Sequence, residues 1–272
     1  MSVHFPQIGL HHPRVNQVRA VLRNREPQHR QLLVAEGLWA HNLLLDLPEP
    51  VPIELFLWCP EAAYASEAHL RSRQLAARAA HSYRISARVL ERITERDRPD
   101  GMVSLVRLPT WDADAVPLGR RALVLVADGI EIPGNLGTLL RTLDACGGDC
   151  LLLTNRRTRL SHPKVFRGSR GMNLRVPVVE FAEPDEAAEW LLANGFTVYL
   201  ATTGAAAVPY RRAVYPLRTA LVVGNERYGI SAPWHAHGFT HVTVPMLGAA
   251  DSLNVSVCAS ILLYEARGRA AG

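Results

Sequence analysis

The sequence predicts an α/β protein in two parts, the second a mostly parallel sheet with helices on both faces. Three observations carry this. From residue 119 onward, short apolar runs alternate with helical patterns, as expected of a parallel sheet covered on both sides. Residues 108–118, which include Leu108-Pro-Thr-Trp-Asp-Ala-Asp-Ala-Val-Pro117, have no clear period and read as a linker. Residues 1–107 form a shorter strand-and-helix series of ordinary domain size.

Composition narrows the class. Hydrophobic residues make up 48 % of the 272, enough for a sizeable core and too many for global disorder. A net charge of +5 favours a polyanionic partner. Lys164 is the only lysine, a bias that base composition explains as readily as function. Of Cys59, Cys146, Cys150 and Cys258, only the middle two are close, and no His or Cys completes a metal pattern. They read as buried reduced thiols, with no metal expected. The N-terminus lacks a signal pattern and no apolar run spans a bilayer, so a soluble cytoplasmic protein without a membrane partner is expected.

The first part opens on a basic segment, with Arg14, Arg19, Arg23, Arg25 and Arg30 against Glu26, and with His11, His12 and His29. Val15, Val18, Val21 and Leu22 keep helical spacing, so a basic amphipathic helix is expected. It could track a phosphate backbone or be a solvated face. Leu32–Ala35 reads as a strand, Glu36-Gly37 as a turn and the run to Leu45 as a helix. Ile53–Trp58 reads as a strand, 67–80 as a helix, Ser82–Ile85 as a strand, 86–95 as a helix capped by Ser86, and Met102–Val106 as a strand. This part shows no paired acid and base and no nucleophile constellation.

The second part gives strands at 122–126, 150–153, 176–179, 197–200, 220–223 and 241–244. Helices are expected at 136–146, 163–167 and 183–193 and at the C-terminus. Three strand-to-loop junctions stand out. In Asp128-Gly-Ile-Glu-Ile-Pro-Gly-Asn-Leu-Gly-Thr-Leu-Leu-Arg-Thr142, a strand leads into a helix whose free N–H groups at Leu136, Gly137 and Thr138 suit a phosphate or another anion. In Leu221-Val-Val-Gly-Asn-Glu-Arg-Tyr-Gly-Ile-Ser231, Gly224 permits close ligand approach and Glu226 sits at the sheet rim. Val244-Pro-Met-Leu-Gly248 leads to Asp251-Ser-Leu-Asn-Val-Ser256, where Ser252 and Asn254 stand where a helix begins. Singly, each junction reads as a capped helix or an ordinary loop. Together they bring Asn135, Arg141, Glu226, Ser252 and Asn254 toward one rim, where open α/β sheets bind ligands.

The order N-x-G-x-x-x-R-T, G-x-E-x-x-G, then P-M and S-L-N-V-S resembles the SpoU (TrmH-like) branch of the SPOUT superfamily over about 121–267. Arg167-Gly-Ser-Arg-Gly-Met172 is similar to the family's Ser-x-Gly stretch, here with an extra arginine. Residues 1–107, through Val34-Ala-Glu-Gly37 above all, resemble the family's small substrate-binding domain, akin to a ribosomal RNA-binding protein. The resemblance implies an S-adenosylmethionine-dependent RNA ribose 2′-O-methyltransferase, acting on 23S ribosomal RNA, in housekeeping or antibiotic resistance. It further implies a homodimer and a deep C-terminal trefoil knot in residues 119–272.

By motif position, the resemblance assigns cofactor contacts to Thr203, Gly204, Gly224, Val244, Pro245, Met246, Ser252 and Leu253. Arg141 takes the catalytic role, with Asn135, Glu226, Ser252 and Asn254 around it. The family proposal makes that arginine a base. Guanidinium is not deprotonated in proteins, so stabilising a developing alkoxide and its neighbouring phosphate suits it better. Asn225 and Arg227-Tyr228 depart from the small residues expected around the glutamate. The alternatives are a tRNA methyltransferase, a non-catalytic RNA-binding or ribosome-assembly factor, and a nicotinamide-dependent oxidoreductase. The last lacks the G-x-G-x-x-G fingerprint.

Overall fold

The computed structural model describes residues 5–25, 31–95 and 100–269, so Glu26, His29 and Arg30 of the basic segment lie outside the described residues. The chain divides into two compact units, Met1–Pro109 with Leu160–Phe166, and Thr110–Arg159 with Arg167–Gly272.

In the first unit, α1 (Pro13–Leu22) starts on a proline, and His12 caps it by accepting from Arg14 N at 3.2 Å. Val15, Val18 and Val21 form its buried face. The sheet contains β1 (Leu32–Glu36), β2 (Ile53–Trp58), β3 (Ser82–Arg84) and β4 (Met102–Arg107) in the order β1-β4-β2-β3. β4 runs antiparallel to β1 and β2, and β3 runs parallel to β2. α1 and the short α4 (Ala87–Leu90) share one cluster with Val103 and Leu105. Ser104, between those two, faces the opposite side. There it meets His41 of α2 (Gly37–Asp46), against which α3 (Ser66–Arg78) packs. Ser86 is the N-cap of α4 but makes no side-chain cap bond, and α4 stops at Leu90 rather than Glu95. Thr94 Oγ1 and Glu95 N instead donate to the Glu36 carboxylate, at 2.8 and 3.2 Å, which draws the chain out of the helix.

The second unit holds seven strands. They are β5 (Ala122–Asp128), β6 (Cys150–Thr154), β7 (Val178–Glu180), β8 (Thr197–Ala201), β9 (Val208–Pro209), β10 (Arg218–Val223) and β11 (Thr240–Thr243). Their order is β7-β6-β5-β10-β8-β11-β9, and every pairing is parallel. Its helices are α5 (Pro133–Ala145), α7 (Pro184–Ala193), α8 (Ala232–Ala236) and α9 (Val255–Arg269), while α6 (Pro163–Ser169) divides between the units after Phe166. Val124, Val126, Leu152, Leu200 and Val222 pack with Ala188 and Leu191 of α7 and Trp234 of α8. The intervening Leu125, Leu151 and Leu221 are buried on the other face. On that face α5 and α9 pack on each other and on β5, β6 and β10. Each such buried leucine contributes roughly 2 kcal/mol.

α5 begins three residues before the expected Leu136, because Pro133 has its φ preset for the first helical position. β9 was not expected, and α8 only as a helix capped at Ser231; two and five residues are too short to show a period. Arg267 of α9 donates to Cys146 O at 3.1 Å and also to Gly147 O, satisfying carbonyls at the α5 C-terminus. Among the described residues no helix is long and apolar enough to cross a membrane.

One buried titratable group makes the first unit sensitive to acid. His41 lies fully buried, with Nδ1 2.7 Å from Gly37 O and Nε2 2.9 Å from Ser104 Oγ. Burial drives its pKa down to about 4 from 6.5, against the opposing hydrogen bond to Gly37. The unfolded chain therefore binds a proton that the folded unit refuses. This contribution is intact above pH 6.5, declines as pH falls through the window to about 4, and totals roughly 3 kcal/mol. Urea denaturation should show the midpoint dropping between pH 7 and about 4.5, with a shallower slope in His41→Gln.

Candidate functional site

The C-terminal ends of β8, β10 and β11 and the start of α9 enclose a pocket of about 530 Å³. In a parallel sheet these ends are where the loops leave and ligands bind. Thr203, Gly224, Glu226, Val244, Met246, Ser252 and Leu253 line it. Gly204, Pro245, Asn135, Arg141 and Asn254 do not.

The loop after β10 shapes one wall. A Cβ on Gly224 would lie 2.2 Å from Gly229 C and Ile230 N, so any other residue forces the backbone apart. Asn225 and Gly229 exchange two backbone hydrogen bonds of 2.9 Å, closing the turn, and Gly229 takes φ +73°. The Asn225 side chain accepts from Arg227 N and Tyr228 N at 2.9 and 3.0 Å and donates to Gly129 O at 2.8 Å. The departure from small residues at position 225 thus has a structural basis: the amide ties this loop to the one after β5.

Glu226 ties the same two loops at the helix start. Its carboxylate accepts from Glu131 N at 3.1 Å, Ile132 N at 3.2 Å and Asn135 Nδ2 at 2.8 Å. Two backbone N–H groups on the approach to α5 are thus taken by the protein's own carboxylate. The N–H of Leu136 is also engaged, bonding to Ile132 O at 3.2 Å. Burial raises the Glu226 pKa, but the bonds from Asn135 and the backbone N–H groups outweigh it and hold the carboxyl below its usual range.

Asn135 continues the network. Its Oδ1 accepts from Asn254 Nδ2 at 3.1 Å, and its carbonyl accepts from Ser256 Oγ at 3.1 Å. Asn254 caps α9, accepting from Ser256 N at 2.9 Å. Ser252, the other expected cap, instead lies in the exposed approach, its hydroxyl 3.5 Å from the Asp251 carboxylate. Glu226, Asn135 and Asn254 thus join three loops that are far apart in sequence. Arg141 does not join them. It sits on the exposed side of α5 with no partner among the described residues.

Sequence reading gave Asp128 no role and noted Asn225 only as a departure from the expected small residue. Asp128 is 2 % exposed and accepts from Thr154 Oγ1 at 2.9 Å, Asn155 Nδ2 at 2.7 Å and Ser231 N at 2.7 Å. It lies one layer beneath the rim and joins the ends of β5 and β6 to the start of α8. The available signal was an acidic residue closing an otherwise apolar strand. Gly168, in the stretch similar to the family's Ser-x-Gly, lies against the first turn of α5, where a Cβ would stand 3.4 Å from Gly134 O and Gly137 Cα, in van der Waals contact. The four cysteines are free; Cys258 lines the pocket, and burial raises its pKa, keeping it a neutral thiol. Among the described residues no group of His, Cys, Asp and Glu is arranged to hold a metal.

Removing the central amide breaks both links at once. Asn135→Ala should destabilise the protein by roughly 2 kcal/mol, because Glu226 loses a donor and Asn254 an acceptor. Thermal denaturation of the variant measures this. Asn254→Ala in the Asn135→Ala background should then cost much less than it does alone.

Comparison with known proteins places the chain in a family. Residues 122–264 match the SpoU rRNA Methylase family. The 23S rRNA (guanosine(2553)-2′-O)-methyltransferase RlmP of Bacillus subtilis is 33 % identical over 68 % of this chain and 72 % of its own. The 23S rRNA (uridine(2479)-2′-O)-methyltransferase of Streptomyces viridochromogenes is 32 % identical over 63 % of this chain and 61 % of its own. An AdoMet-bound rRNA methyltransferase from Sinorhizobium meliloti superposes with a TM-score of 0.85 at 25 % identity, covering 96 % of each chain. The family match spans more than half of the chain and contains all three rim junctions, and the chain belongs to the SpoU rRNA methylase family.

Proposed function

We propose that this protein transfers a methyl group from S-adenosylmethionine to a ribose 2′-hydroxyl of large-subunit ribosomal RNA. The observation that carries this is the bonded set Glu226–Asn135–Asn254 beside a pocket lined by Gly224, Ser252 and Leu253. The two relatives named above act on 23S rRNA, and the Sinorhizobium structure is AdoMet-bound.

The pocket suits the cofactor. Its volume of about 530 Å³ falls within the usual range for small-molecule sites. Thr202, in its wall, has a buried hydroxyl without a hydrogen-bond partner. When bound, S-adenosylmethionine supplies an electrophilic methyl on a sulfonium. Thr203, Gly224, Val244, Met246, Ser252 and Leu253 would hold it, with Gly204 and Pro245 setting the course of the loops. Arg141 stabilises charge on the ribose oxygen and its neighbouring phosphate, a role that fits an exposed guanidinium not engaged by the protein. Glu226, Asn135 and Asn254 hold the loops so that the pocket and the start of α5 keep one geometry.

The same reading includes a knotted C-terminal segment, which rests on membership in the family. It includes a homodimer. Val257 and Tyr264, two turns apart on α9, are 49 % and 56 % exposed, an apolar stripe that a second copy would cover. The first unit would bind the RNA, with Arg14 and Arg19 half-buried beside the valine face of α1 and Arg23 and Arg25 exposed just beyond its end. Four free cysteines fit the reducing cytoplasm.

Incubation with methyl-labelled S-adenosylmethionine and unmodified ribosomal RNA should place label on one ribose of the large-subunit RNA. Label in tRNA alone would move the substrate to tRNA. Cofactor binding without transfer to either would sink the reaction. Arg141→Ala should lower the rate by at least ~100-fold with cofactor affinity, measured by calorimetry, unchanged. An equal loss of affinity would remove Arg141 from the chemistry.

A further inference from the structure

The loop that carries Glu226 continues into Arg227 and Tyr228, two side chains that the reading above does not use. Both line the pocket. Tyr228 is 73 % exposed, and the Arg227 Cζ lies 5.4 Å from its ring centroid. Their backbone is nevertheless fixed. The Asn225 side-chain Oδ1 accepts from both N–H groups, and the paired backbones of Asn225 and Gly229 close the turn beneath them. A wide aromatic ring is therefore presented at the pocket by a pinned turn, with a guanidinium on one side and most of its surface in water. Such a ring is stabilised by little inside this chain, so its chemistry is directed outward.

We propose that Tyr228 and Arg227 form a stacking platform that takes a nucleobase of the RNA strand entering the pocket, with Arg227 meeting the adjoining phosphate. Aromatic faces stack on unpaired bases of any sequence, and a neighbouring arginine adds cation–π and phosphate contacts. The chain's net charge of +5 fits the same partner. The platform rests on the methyl-transfer reading, because it assumes RNA at this pocket. Tyr228 is a positioning residue: it holds a base so that the neighbouring ribose stays at the mouth, and takes no part in bond making.

The test uses the full chain and an unmodified 23S rRNA transcript as probe. RNA affinity is read by filter binding, cofactor affinity by calorimetry with S-adenosylhomocysteine, and turnover with labelled cofactor. Tyr228→Ala should weaken RNA binding and raise the KM for RNA roughly tenfold, leaving kcat and cofactor affinity as in the parent. Tyr228→Trp should restore binding, because it returns the stacking face. Arg227→Ala should flatten the salt dependence of binding by about one phosphate contact. RNA affinity unchanged in Tyr228→Ala overturns the platform. So does an equal loss of cofactor affinity, which would make the ring a cover for the cofactor. A parent protein that binds the transcript and loses it on Tyr228→Ala, yet transfers no methyl, supports the platform and sinks the methyl-transfer reading alone. A parent that does not bind the transcript overturns both.

Discussion

Much of this site depends on one carboxylate, Glu226, reaching across to the start of a helix in another part of the chain. The N–H groups that open a helix have no partners within it and must be satisfied from outside. Glu131 N and Ile132 N, on the approach to α5, find theirs in the loop after β10, and Asn135 adds a side-chain donor to the same carboxylate. Asn135 then binds Asn254 at the start of α9. Three loops leaving three strands are thereby held at one spacing. Beneath them, buried Asp128 repeats the device, accepting from Thr154, Asn155 and Ser231.

Glycine and polar side chains divide the work at this rim. Gly224 lets main chain approach main chain at a distance where a Cβ would collide. Asn225, Glu226 and Asn254 then lock the approach with hydrogen bonds. A pocket wall built this way has little freedom to follow a ligand. The side chains left exposed around it, Arg141 and Tyr228 among them, are not needed for that wall and can face a partner.

The elements themselves were largely legible in the sequence. The central strands β5, β6 and β10 are buried on both faces and read as apolar runs, while α5 and α7 show helical spacing. The exceptions follow from length and competition. α8 and β9 are too short to show periodicity, and α4 ends early because Thr94 and Glu95 bind Glu36. The rim junctions were legible too, because a strand ending in glycine or in a capping residue marks itself locally.

By itself, then, the sequence determined which segments become strands and helices and which loops lie at the C-terminal rim. Those are set by side-chain period and by backbone conformations only certain residues tolerate, both local properties. Tertiary structure alone decided what each polar residue at the rim does. It tied the approach to α5 to Glu226, made Asn225 the brace of its loop, and left Arg141 outside the pocket lining. A hydrogen bond between Asn135 and Asn254, which are 119 residues apart, leaves no mark on either local sequence. It exists only because the parallel sheet brings the ends of its strands to one edge.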